Sequence, residues 1–270
     1  PDFFMFAEAY DFDAAKIAPF TCAENGKISV LDFPLKDKLD KVFGQKQDGY
    51  RIIGPALHLE NGPYQNPYEL MTFYDNHDMP RLDADDDGFI DAHNWLFTAR
   101  GIPVVYYGSE TGFMRGKAEH QGNRNYYGQE RIDAGLKHPI YLNLQRIANV
   151  RRESVALQKG LQLNLLLDKN RAAFYRVYQY GDTVQTALVL LNKGDKAATF
   201  SLRGNLQAGE WRSAINGNSY RIDPRKPRLK AEVPAHGVEV LLFDGALSAP
   251  ALLSALDRLQ AGRQRRTTGG

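Results

Sequence analysis

Apolar positions fall into two regimes along the chain. Up to about residue 150 they come as short, nearly continuous runs: Phe3–Ala7, Val30–Phe33, Leu70–Phe73 and Ile102–Tyr107. Between the runs, apolar residues recur at helical spacing. Leu35, Leu39, Val42 and Phe43 follow Pro34, a residue that suits a helix start; Ala92, Trp95, Leu96 and Ala99 form a second stripe, and Ile140, Leu144, Ile147 and Ala148 a third. Asp11 to Ala23 is a connector with a short helical tendency, while 44–68 and 111–138 are polar and loop-like. Continuous runs are the pattern of strands covered on both faces, and strands alternating with helices indicate parallel βαβ units. The spacing predicts four buried parallel strands, half of an eight-stranded (β/α) barrel.

From Leu161 the period drops to two. Ala173–Tyr180, Val184–Leu191, Ala197–Leu202 and Val238–Phe243 read as strands, separated by turn residues such as Lys169-Asn170, Gly181-Asp182, Gly194-Asp195 and Asn216-Gly217. Several short strands at this spacing predict an all-β antiparallel sandwich. The expected organisation is therefore an α/β barrel half over 1–156 and an antiparallel β-sandwich over 157–246. A short helix from about Ala249 to Leu259 and a flexible basic tail complete the chain over 247–270. No repeats interrupt this plan.

Composition narrows the class. The chain has 270 residues, 43% hydrophobic and 24% charged, enough for a large domain with a real core plus a smaller one. A net charge of +2 is too small to imply a nucleic-acid partner, and the local excess at Arg263, Arg265 and Arg266 reads as a solvated end. With Cys22 alone, no intramolecular disulfide forms. No run reaches membrane-span length. Pro1-Asp2 stands directly before an apolar strand, which reads as an interior segment of a longer protein.

The chemistry gathers where strands end. The run Phe3–Ala7 stops on Glu8, and Leu70–Phe73 leads into Tyr74-Asp75-Asn76-His77-Asp78. Carboxylates at the C-terminal ends of buried parallel strands are how a (β/α) barrel builds an active site. A carboxyl desolvated at such a tip is expected to have a raised pKa, which suits a general acid. A third feature is Asp83-Ala84-Asp85-Asp86-Asp87-Gly88, which places Asp83, Asp85 and Asp87 at the alternate positions of a calcium loop. Asn94 stands where an EF-hand would have its last, bidentate glutamate, so the choice is between a stand-alone calcium loop and a solvated acidic turn. His58, His120 and His138 lack metal-ligand spacing, Cys22 has no nucleophile's partners, and Trp95 falls on a core face.

Phe6-Ala7-Glu8-Ala9-Tyr10, Asn76-His77-Asp78 with Met79-Pro80-Arg81 behind it, Gly122-Asn123-Arg124 and the segment Gly101–Glu110 together resemble the second half of an α-amylase-family glycoside hydrolase. The resemblance covers barrel strands five to eight, roughly 2–155, with a terminal β-domain behind them. It implies that Glu8 is the catalytic acid/base and Asp78 the carboxylate that stabilises an oxocarbenium-like transition state. It further implies that His77, Tyr10, Asn123 and Arg124 bind sugar. The family's nucleophilic aspartate, in a motif of the type Gly-x-Arg-x-Asp, has no counterpart here. The resemblance thus implies an α-1,4-glucan or maltooligosaccharide as substrate, the N-terminal half of the same enzyme as partner, and no organic cofactor. This chain alone is expected to be inactive. An exported location fits glucan-degrading relatives and a calcium-binding acidic loop. Two other readings stand beside the enzyme: a non-catalytic relative serving as an interaction module, and a calcium- or carbohydrate-binding module. The retention of Glu8, His77 and Asp78 together favours the enzyme.

Overall fold

The computed structural model describes residues 3–44, 48–204 and 206–268, leaving aside the side chains at 23 and 263–268. Pro1-Asp2, read above as an interior start, and the side chains of the basic tail lie outside the described residues. The first unit contains four short parallel strands: β1 (Phe6–Ala7), β2 (Ser29–Val30), β3 (Met71–Thr72) and β4 (Ile102–Pro103). They stand in chain order. Phe6 pairs with Ser29, Ala7 with Val30, Met71 with Ile102 and Thr72 with Pro103, and a single bridge from Leu31 to Met71 joins the two pairs.

Around them lie helices α1 (Ala14–Ile17), α2 (Phe33–Leu39), α3 (Ile53–Ala56), α4 (Asp86–Thr98), α5 (Gln129–Gly135), α6 (Pro139–Glu153) and α7 (Val155–Lys159). Their ends are set locally. Asp32 caps α2 by accepting from the amide of Leu35, with Pro34 in the first turn, and His138 caps α6 just before Pro139. Trp95 of α4 is buried as expected, between the rings of Tyr50 and Phe174. Among the described residues, no helix is long and apolar enough to cross a membrane.

The second unit begins at Leu161. Its main sheet has six antiparallel strands in the order β10-β9-β12-β7-β6-β5. These are β5 (Leu161–Leu167), β6 (Arg171–Tyr180), β7 (Thr183–Asn192), β9 (Gly209–Ser213), β10 (Ser219–Ile222) and β12 (Gly237–Asp244). Strands β8 (Ala198–Arg203) and β11 (Arg228–Val233) pair separately, from Ala198↔Val233 to Arg203↔Arg228.

Two features differ from the sequence reading. Strict alternation holds in β11, whose burial alternates residue by residue, but Ala172–Val177 of β6 and Ala187–Leu191 of β7 are buried throughout. One face of the main sheet, with Phe174, Val189 and Val240, packs on Trp95 and Tyr50 of the first unit. The other, with Tyr175, Leu188, Trp211 and Leu241, packs on Phe200 and Leu229. A sheet covered on both sides has no polar face to show. The second difference is helix α8, which spans Pro250–Thr268 and so continues through the stretch expected to be a flexible tail. Leu252, Leu256 and Leu259 anchor it to the second core, and the Gln, Ala and Arg residues beyond are good helix formers.

The units are joined by buried arginines at the C-terminal end of α4. Arg176 of β6 donates to the carbonyls of Thr98 (2.8 Å), Ala99 (2.5 Å) and Gly160, while Arg151 of α6 donates to those of Phe97 and Gly101. These carbonyls are the unpaired acceptors of a helix end, where positive charge also meets the favourable pole of the helix dipole. Burial pushes Arg151 down to about 10 and Arg176 to about 9. Arg100 completes the web. It forms a fully buried ion pair with Asp32 at 2.6 Å and donates to the carbonyls of Ala56 and Leu57.

Candidate active site

The tips of β1 and β3 carry the site. Parallel pairing in chain order sets these strands side by side through β2, with their C-terminal ends at one edge, so Glu8 and Asn76-His77-Asp78 emerge together. Ligand atoms of Glu8, His77 and Asp78 all lie within 4.8 Å of one another. Within the trio, His77 Nε2 is 3.1 Å from one carboxylate oxygen of Asp78, and Arg124 donates to the other. Glu8 is exposed, so the desolvation expected at its strand tip is not supplied by the described residues. The neighbouring expectation fails in the same way: Phe3, Phe4, Met5 and Phe6 are exposed, Phe3 by 81%. The cause is topological, since β1 has a paired strand only on the β2 side.

Loop carbonyls and amides fix the rest. Asn123, expected to touch sugar, is fully buried. Its amide donates to the carbonyl of His77 at 2.6 Å, and its side-chain oxygen accepts from the amide of His120. In this geometry it holds the backbone that aims His77. Arg124 is exposed and donates to the carbonyl of His77 (3.0 Å) as well as to Asp78, so its side chain stands at the open side of the trio. Tyr10 is exposed and leans edge-on against Phe33 at 5.0 Å, two residues along the chain from Glu8.

Three scaffold residues had no role of their own in the sequence reading. Asp75 is buried and accepts from the amide of Leu82 (2.6 Å) and the hydroxyl of Ser109 (2.7 Å); burial pushes its carboxyl up. Arg81 is buried and forms no ion pair among the described residues. It lies over the rings of Tyr106 (4.7 Å), Tyr107 and Phe113 and donates to the carbonyls of Gly122 and Tyr107, both at 3.0 Å. It thereby fastens the loop bearing Asn123 and Arg124 to the segment bearing Asp78. Asn76 accepts from the amide of Asp78 at 3.1 Å, which turns that residue at the tip, while its own side-chain nitrogen is buried with no partner among the described residues. The available signal for all three was their place in or just after Tyr74–Asp78.

Asp83, Asp85 and Asp87 do not converge on one point among the described residues. Asp85 caps α4 by accepting from the amide of Gly88 at 2.9 Å, Asp86 pairs with Arg115 at 2.7 Å, and Asp87 faces His236 at 3.7 Å. Acidic residues at alternate positions here serve a helix N-terminus, whose dipole they complement.

No protein-family model matches the chain. Its curated relatives do agree with one another. It is 26% identical over 300 residues to an α-amylase of Streptomyces lividans, covering 93% of this chain and 31% of that protein. It is 25% identical over 260 residues to a cyclomaltodextrin glucanotransferase of Paenibacillus macerans, covering 93% of this chain and 34% of that protein. The chain is similar to enzymes of the α-amylase family. Its fold agrees: the α-amylase of Geobacillus thermoleovorans, solved in complex with acarbose, superposes with a TM-score of 0.73 at 23% identity. That match covers 89% of this chain and 53% of the solved one. The chain thus spans about a third of the length of these curated relatives.

Proposed function

We propose that this chain is the part of a retaining α-glucan hydrolase or transglycosylase that supplies the acid/base and the transition-state carboxylate. The observation that supports it is the convergence of Glu8, His77 and Asp78, from two strands nearly seventy residues apart, within 4.8 Å. Glu8 protonates the departing glycosidic oxygen and later takes a proton from the incoming water or sugar hydroxyl. Asp78 accepts hydrogen bonds from hydroxyls of the sugar undergoing substitution, contacts that strengthen as positive charge develops at the anomeric carbon. His77, held by Asn123 and paired with Asp78, binds the same ring. Arg124 reaches along the glucan from the open side, and Tyr10 offers an aromatic face beside Glu8.

The nucleophile comes from outside these residues, on a further segment that completes the barrel against β1 and β4. The exposed apolar side chains of Phe3, Phe4, Met5 and Phe6 provide the surface that such a segment covers. Glu8→Gln in the full-length protein, assayed on maltoheptaose, should lower kcat roughly 10²–10⁴-fold. An unchanged kcat would remove Glu8 from the role and sink the reading.

A further inference from the structure

One side chain closes the loop that carries His77 and Asp78. Asp75 is 3% exposed, and its two carboxylate oxygens take different partners. Oδ1 accepts from the backbone amide of Leu82, seven residues along the chain, at 2.6 Å. Oδ2 accepts from the hydroxyl of Ser109 at 2.7 Å, in the turn Ser109–Thr111 that follows Gly108. The segment 76–81 is therefore pinched at its neck and tied to the chain that leaves β4. The far side of the neck is fixed as well. The carbonyl of Leu82 accepts from the amide of Gly116 at 3.2 Å, and the amide of Arg81 donates to the carbonyl of Lys117 at 3.1 Å.

The side chains of His77 and Asp78 are 48% and 37% exposed, so little packing holds them and the backbone beneath sets their aim. A compact loop of this kind keeps its shape through the contacts that close it. We infer that Asp75 is a positioning residue: by joining Leu82 to Ser109 it fixes the backbone from which Asp78 and His77 reach the sugar. For its kinetic consequence this rests on the function proposed above. The bonding pattern separates geometry from charge, because a serine hydroxyl can donate or accept and an asparagine amide does both. Asparagine at 75 accepts from Leu82 and donates to Ser109, and so keeps both links without the charge. Alanine keeps neither and leaves a buried amide without its acceptor.

The test is steady-state kinetics of the full-length protein on maltoheptaose, at a temperature where circular dichroism shows the variants folded. Asp75→Ala should lower kcat roughly 10- to 100-fold while KM changes less than about 3-fold, since a misaimed Asp78 loses contacts that strengthen in the transition state. Ser109→Ala, which removes one link, should fall between wild type and Asp75→Ala. Asp75→Asn should stay within about 5-fold of wild type. In the 270-residue chain, the His77 Hε1 NMR resonance should shift in Asp75→Ala and hold its place in Asp75→Asn. An unchanged kcat in Asp75→Ala overturns the inference. Equal losses in Asp75→Asn and Asp75→Ala also overturn it, because they assign the effect to charge. Should Asp75→Ala fail to fold, Ser109→Ala carries the test, and an unchanged kcat there overturns the role. If the wild-type protein hydrolyses no glucan, the catalytic reading fails and the His77 resonance decides. A shift in Asp75→Ala that is absent in Asp75→Asn then supports the positioning, and no shift overturns it.

Discussion

The two units of this protein solve the burial of a sheet in opposite ways. In the antiparallel unit, β6 and β7 pair over ten residues each, and the sheet is covered on both faces from within the chain. In the parallel unit each strand is two residues long, β1 pairs on one side only, and four consecutive apolar residues face solvent. Both stretches carry a continuous apolar run in sequence, Phe3–Ala7 in one and Ala187–Leu191 in the other. The difference is in what covers them. The candidate active site sits in the unit that the described residues leave open, and its scaffold is consequently made of hydrogen bonds and ring stacking around Arg81, Asp75 and Asn123.

The sharpest way to break this contrast is at the buried ion pair inside the parallel unit. Arg100→Ala leaves Asp32 buried without its cation and should destabilise the chain by about 3–5 kcal/mol, read from urea unfolding. A loss below about 1 kcal/mol would mean that this buried pair does not brace the parallel unit.

Next comes a matched pair of core and edge truncations. Leu190→Ala, inside the doubly covered sheet, should cost about 2–5 kcal/mol. Phe4→Ala, on the open strand, should change the stability of this chain by no more than about 0.5 kcal/mol. In the full-length protein, where we propose that β1 is covered, the same Phe4→Ala should cost about 3–5 kcal/mol. Equal effects of Phe4→Ala in the two contexts would remove the case for a covering segment.

The smallest effect concerns His236, in the turn between β11 and β12. It is 2.8 Å from Asp91, 3.1 Å from Asp195 and 3.7 Å from Asp87, and these carboxylates push its pKa up from 6.5 to about 9. Because the folded value is raised, the stabilisation is fully present below about 6.5 and is lost as pH rises through about 9. The Tm difference between the wild-type chain and His236→Asn should therefore be at its greatest near pH 6 and vanish by about pH 10. A difference that persists unchanged at the higher pH would assign the effect to packing.

Much of the site was legible in sequence because its logic is local: an apolar run that stops on a carboxylate places that carboxylate at a strand tip, wherever the strand goes. Glu8, His77 and Asp78 could be picked out for that reason. Asn123 and Arg81 could not be given their positions, because their partners are 46 and 41 residues away. Asp83, Asp85 and Asp87 show the converse. Their spacing satisfies a metal-loop pattern, yet helix α4 begins at Asp86 and uses the acidic run as its cap and first turn.

The chain's own pattern determined the type of the main strands and of helices α2, α4 and α6, the switch from parallel to antiparallel strands, and the kinds of side chain delivered to the strand ends. Periodicity can do this because it reports the local backbone state and how many faces of it avoid water. Which surface covers each face was decided only by the tertiary structure: Trp95 against Phe174, Trp211 against Tyr175, solvent against Phe4. Burial of that kind depends on contacts between residues far apart in the chain, and a periodicity carries no label for its partner.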